Sequence, residues 1–187
     1  MKPTVFALAI AASLAFAGTS FAAGDSSSGS DEAPEPTATT TKCKKTEVFD
    51  EKLKKCVELK KSGMNDGFSD DELYDAAREL AYFDRPDDAI TLLKQMADQN
   101  QPRVQNYLGF AHRKAGRMDA AMMHYQAALQ LDPDYVLARS YMGQGLLKSG
   151  NVGAARTQLA QIRMRAGTDN YPYRMLSDAL AGKPVGY

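Results

Sequence analysis

The stretch YLGFAHRKAGRMDAAMMHYQAALQLDPDY, residues 107–135, decides how this chain folds. Its small residues stand at set intervals: Gly109 follows Leu108, Gly116 closes a run, and Ala121 and Ala128 flank Tyr125, with Pro133 two residues before the end of the stretch. A catalytic stretch would carry a nucleophile, a base or a phosphate-binding loop. The spacing here is architectural. Small residues on one helical face let two helices approach closely, and a Gly between them supplies a left-handed turn.

The pattern recurs on both sides. Met142-Gly143, Gly150, Ala155, Leu159 and Ile162 repeat it 34 residues later, and Ala76-Ala77, Ala89, Leu93 and Met96 repeat it 32 residues earlier, with Asp84 where Gly116 stands. A period of that size means stacked helix pairs. On these residues the chain resembles the tetratricopeptide repeat family over residues 70–167, with 171–182 as a capping helix. The layout as a whole is similar to small exported repeat proteins of Gram-negative bacteria.

The resemblance implies an all-α helix-pair solenoid of about three repeats. It also implies a concave groove, lined by the first helix of each pair, that receives a peptide or protein segment. Mapped onto this chain, the groove stripe is Tyr74, Arg78, Arg103, Asn106, Phe110, Arg113, Ser140 and Gln144. Arg and Asn there hold a carboxylate or main-chain amides, while Phe110 meets an apolar side chain. An equally simple account makes these polar residues only the solvated lining of the groove. His112 takes the family's usual tyrosine position and is expected in the core. His124, on the second helix, is expected in solvent.

Helix breakers divide the C-terminal two thirds. Ser69 with Glu72 forms a capping box that opens a first helix, Asp70 to Tyr82. Further helices are expected over Pro86 to Gln99, Pro102 to Gly116, Met118 to Leu131, Asp132 to Gly150 and Val152 to Ala166, with a short one from Pro172. The repeat domain thus covers residues 70–182.

The N-terminal third reads differently. Lys2 precedes the apolar run VFALAIAASLAF, residues 5–16, and small Ser20 and Ala22 follow. This is a signal peptide over 1–22, cleaved after Ala22 or Ala23, and it is too short to remain as a membrane anchor. A secreted or periplasmic location follows. Residues 23–41 carry four acids, no bases and little large apolar surface, so they are expected to be a disordered linker. Residues 42–61 hold both cysteines, in CKKTEVFDEKLKKCV, with Val48-Phe49 and Cys56-Val57 able to pair around Asp50-Glu51-Lys52. A Cys43–Cys56 disulfide suits an oxidising compartment and stabilises by roughly 3 kcal/mol.

Composition narrows the function. The 187 residues carry zero net charge, and from residue 62 onward fourteen bases face fifteen acids, which argues against nucleic acid as a partner. No HExxH, GxSxG, Walker or GxGxxG motif is present, and the two His with scattered carboxylates make no metal-ligand set. No cofactor, metal or catalytic residue is therefore expected. Met118, Met122, Met123, Met142, Met164 and Met175 fall mostly at core spacing and read as gap-fillers. The expected role is a non-enzymatic scaffold or adaptor with a protein or peptide partner. The alternative is a cell-envelope glycan-binding protein. Its Cys43–Cys56 hairpin, with Phe49, is similar to disulfide hairpins of extracellular carbohydrate-binding modules but lacks their additional cysteines.

Overall fold

A computed structural model describes residues 31–58 and 67–184. The signal segment 1–22, linker residues 23–30 and hairpin residues 59–61 lie outside the described residues. The elements in chain order are α1 (Ala38–Thr41), β1 (Glu47–Asp50), β2 (Lys55–Glu58), α2 (Asp70–Tyr82), α3 (Pro86–Leu93), α4 (Pro102–Lys114), α5 (Met118–Leu131), α6 (Val136–Lys148), α7 (Val152–Ala166) and α8 (Tyr171–Leu180).

Local chemistry sets most boundaries. The Ser69 hydroxyl accepts from the Glu72 amide at 3.2 Å, and the Glu72 carboxylate accepts from the Ser69 amide at 2.7 Å, so two orphan donors of α2 are satisfied reciprocally. Pro86 and Pro102 begin α3 and α4, where a missing N–H costs nothing. Between α4 and α5 the chain turns at Gly116, φ 78°. The corresponding turn between α2 and α3 is made by Asp84, φ 56°, a short polar residue that tolerates the left-handed region.

Two expected boundaries move. α3 ends at Leu93 instead of running to Gln99. The Gln99 side-chain amide donates to the Leu93 and Met96 carbonyls at 3.0 and 2.7 Å, and the Asp70 carboxylate accepts from the Ala97 amide at 3.0 Å. These bonds replace helical ones, so the chain can leave the helix early and reach Pro102. α6 starts at Val136 because the Asp132 carboxylate accepts from the Asp134 amide at 2.9 Å and holds the preceding residues in a turn.

α2–α3, α4–α5 and α6–α7 pack as antiparallel pairs. Successive first helices, α2, α4, α6 and then α8, also touch one another, which makes their side the tight, concave one. Ala77, Ala89, Ala121 and Ala155 are fully buried at the crossings. A Cβ added to Gly109 would lie 2.7 Å from the Tyr125 ring, closer than packed carbon atoms come, so only Gly lets α5 approach α4 this closely. Gly143 behaves differently: its Cβ would meet Leu176 of α8 at 2.5 Å as well as Gln158 of α7 at 3.3 Å. Its smallness therefore seats the capping helix.

The N-terminal region departs from the expected tether and separate hairpin. Residues 31–41 fold back on α2. The Glu79 carboxylate accepts from the amide and hydroxyl of Thr37, at 2.8 and 2.7 Å, and from those of Thr40, at 3.2 and 2.6 Å. Low apolar content predicts disorder only when no partner is available, and a buried carboxylate beside threonine donors is such a partner. The antiparallel hairpin pairs Val48 with Val57 and Phe49 with Cys56, and Cys43 is bonded to Cys56. Val48 is buried in the same core as the helices. Arg85 donates to the Thr39 and Glu47 carbonyls at 3.1 and 2.9 Å. The hairpin is therefore an end cap on the array, continuous with its core.

Candidate functional site

The concave side carries a row of tyrosines with arginines between them. α2 contributes Tyr74, Arg78 and Tyr82, four residues apart and so on one stripe. α4 contributes Arg103, Asn106, Tyr107, Phe110 and Arg113, and α6 contributes Ser140, Tyr141 and Gln144. The rings pack across helices: Tyr74 lies edge-on to Tyr107 at 5.4 Å, and Phe110 sits between Tyr82 at 4.9 Å and Tyr141 at 4.7 Å. Guanidinium groups cover the ring faces, Arg103 over Tyr74 at 4.6 Å and Arg113 over Phe110 at 5.1 Å.

Polar contacts run through the same row. Arg78 Nε donates to the Tyr107 hydroxyl at 2.9 Å, Arg113 Nε to the Tyr125 hydroxyl at 3.3 Å, and the Tyr82 and Tyr141 hydroxyls bond each other. Burial pushes the Tyr74, Tyr82, Tyr107, Tyr135 and Tyr141 phenols up, so all stay protonated. The Asn106 amide nitrogen donates to Tyr135 at 3.4 Å, while its fully buried carbonyl oxygen Oδ1 has no partner. A second Arg78 nitrogen donates to the main-chain carbonyl of Glu32; burial pushes the carboxyl of the half-buried Asp31 up, and the Arg78 charge opposes this.

The eight groove residues are brought to one face, but most are inside it. Asn106, Phe110 and Ser140 are fully buried, and Tyr74, Arg78, Arg113 and Gln144 nearly so. Arg103 retains partial exposure, with an ion pair to Asp71 at 2.6 Å. Phe110 is thus not an open apolar contact, because its ring is already sandwiched between two tyrosines. Sequence reasoning missed the tyrosines at 82, 107, 135 and 141. Tyr107 and Tyr141 stand one residue beyond the named Asn106 and Ser140, a signal that was present in the stripe.

The histidines also depart from expectation. His112 and His124 stack on each other, ring centres 5.2 Å apart and 11° from parallel, both half-buried. Burial, then His124 and Arg117, push the His112 imidazole down to about 4. Of the methionines, Met175 is buried, while Met123 and Met164 stand in solvent. Among the described residues, no helix is long and apolar enough to cross a membrane.

A family model described as tetratricopeptide repeat matches residues 112–179. Residues 112–179 are a tetratricopeptide repeat array. The match begins within α4 and runs through α8; α2 and α3 precede it and repeat its small-residue spacing. No curated protein matches the chain. Tetratricopeptide repeats are generally protein–protein interaction modules and typically non-catalytic.

Proposed function

We propose that this tetratricopeptide array is an adaptor that binds an extended, acidic stretch of a partner protein along its concave face. One observation carries the reading: Arg78 donates to a main-chain carbonyl of an extended segment, next to an acidic residue, Asp31. Arg103, partly exposed, continues the row of guanidinium groups on that face and is paired with Asp71. On the outer side, Asp87, Asp88 and Asp119 stand in the first turns of α3 and α5, where they complement the helix dipoles.

Selection of random peptides displayed on phage tests it. Acidic sequences should be enriched, and Arg78→Gln/Arg103→Ala should weaken their binding by more than about tenfold, since charge-assisted bonds contribute roughly 1.5–3 kcal/mol each. Equal recovery of acidic and neutral sequences would overturn the proposal.

We propose also that the protein is exported. The apolar run 5–16 and the Cys43–Cys56 bond support this. Intact mass of protein recovered outside the cytoplasm should give an N-terminus at Ala23 or Gly24; a chain still carrying Val5–Phe16 would contradict it.

A further inference from the structure

We infer that the segment preceding α1 is a built-in competitor for the concave face, so that the protein's own acidic residues compete with the partner for Arg78. This inference rests on the adaptor reading above and adds its regulation. Three observations support it. The segment is held most extensively at its α1 end: Glu79 grips Thr37 and Thr40 through four hydrogen bonds, and α1 is tied to the hairpin by the Thr39 hydroxyl, which accepts from the Phe49 amide at 3.2 Å. Upstream of that anchor, residues 32–36 hold Pro34 and Pro36, which keep the chain extended. At the far end, Glu32 gives its carbonyl to Arg78, and Asp31 lies close enough to Arg78 and Tyr135 to feel both electrostatically.

The two ends differ in what holds them. The Thr37–Thr40 anchor is a set of carboxylate-accepting bonds tied into the cap. The strap's far end is held by one guanidinium on the Glu32 carbonyl, with Asp31 attracted to Arg78 only electrostatically, the Glu32 side chain in solvent and Pro34 only half-buried. The strap can therefore leave Arg78 while α1 stays docked. A partner that presents a carbonyl and a carboxylate in the same extended form would replace it contact for contact. Because the strap is tethered about five residues away, its local concentration is on the order of millimolar, and a free acidic peptide must outcompete that.

The experiment uses the full chain and a synthetic peptide of its own residues 31–36, DEAPEP, fluorescently labelled. Titration is run on the wild type, Asp31→Lys, Asp31→Lys/Arg78→Gln, and Asp31→Asn as the milder variant. Asp31→Lys should bind the peptide about tenfold more tightly than wild type, Asp31→Asn by an intermediate factor, and the double variant should lose the gain. Cleavage after Glu32 by a glutamate-specific protease should speed up in Asp31→Lys, while the Thr40 and Thr41 amides, bonded to Glu79 and to the Thr37 carbonyl, stay protected from hydrogen exchange. Equal affinity of wild type and Asp31→Lys, with cleavage faster, overturns the competitor role and leaves the adaptor reading standing. No peptide binding to any variant despite faster cleavage overturns both. Binding that instead falls with protein concentration as dimers form assigns the strap to a neighbouring copy and overturns the intramolecular form.

Discussion

His112 and His124 face each other across the α4–α5 pair, and the charges around His112 are mostly of its own sign. Arg117 Nε donates to His112 Nδ1 at 3.0 Å, Lys94 adds a second positive charge, and Asp87 opposes them more weakly. The folded protein therefore keeps His112 neutral down to about pH 4, whereas the unfolded chain protonates it near the ordinary value of 6.5. Between those two values the unfolded state binds the extra proton. The stability from this site is present above 6.5 and is lost as pH falls toward 4. Urea midpoints should drop between about pH 7 and about pH 5, and His112→Gln should flatten that part of the profile. A variant with the wild-type slope would show that other groups cause the loss. The pairing itself was not readable in the sequence. Twelve residues and a turn separate the two rings, and face-to-face contact depends on the rotation of α5 against α4, which Gly109 and Tyr125 set.

At the scale of elements, helix ends were readable wherever a local signal specified them. The Ser69–Glu72 box, the leading prolines and the turn glycines act within a few residues, so α2, α5 and α7 have the expected bounds. The end of α3 was not readable, because Asp70, on a different helix, supplies one of the bonds that replace it. The hairpin shows the same division. Its strands and disulfide follow from CKKTEVFDEKLKKCV, but its role as a cap depends on Val48 entering the core and on Arg85 reaching two carbonyls. Breaking the Cys43–Cys56 bond should therefore destabilise helix as well as hairpin, by roughly 3 kcal/mol. Hydrogen exchange after reduction should rise in β1, β2, α1 and α2 and leave α6 to α8 protected, because stacked pairs transmit stability mainly to their neighbours. Unchanged protection in α2 would mean that the hairpin is a separate unit after all.

For the molecule as a whole, the repeat period and its small residues determined a row of helix pairs. Each pair can bury its apolar stripe only against the next, so the sequence by itself specified the stacking, the tight turns and the concave side built from α2, α4 and α6. The matched segment 112–179 overlaps the residues that carry that period and runs on into the capping helix. Which side chains remain available on the concave side was decided only in three dimensions. Phe110 had the right position for a groove contact, yet tyrosines from two neighbouring helices close over it. The segment 31–41 had the composition of a free tether, yet Glu79 and Arg78 hold it to the array. Periodicity reports what one helix must bury, and it is local information. Occupancy of a face depends on groups distant in the chain that compete for the same hydrogen bonds and the same apolar surface, and only the folded arrangement shows which of them win.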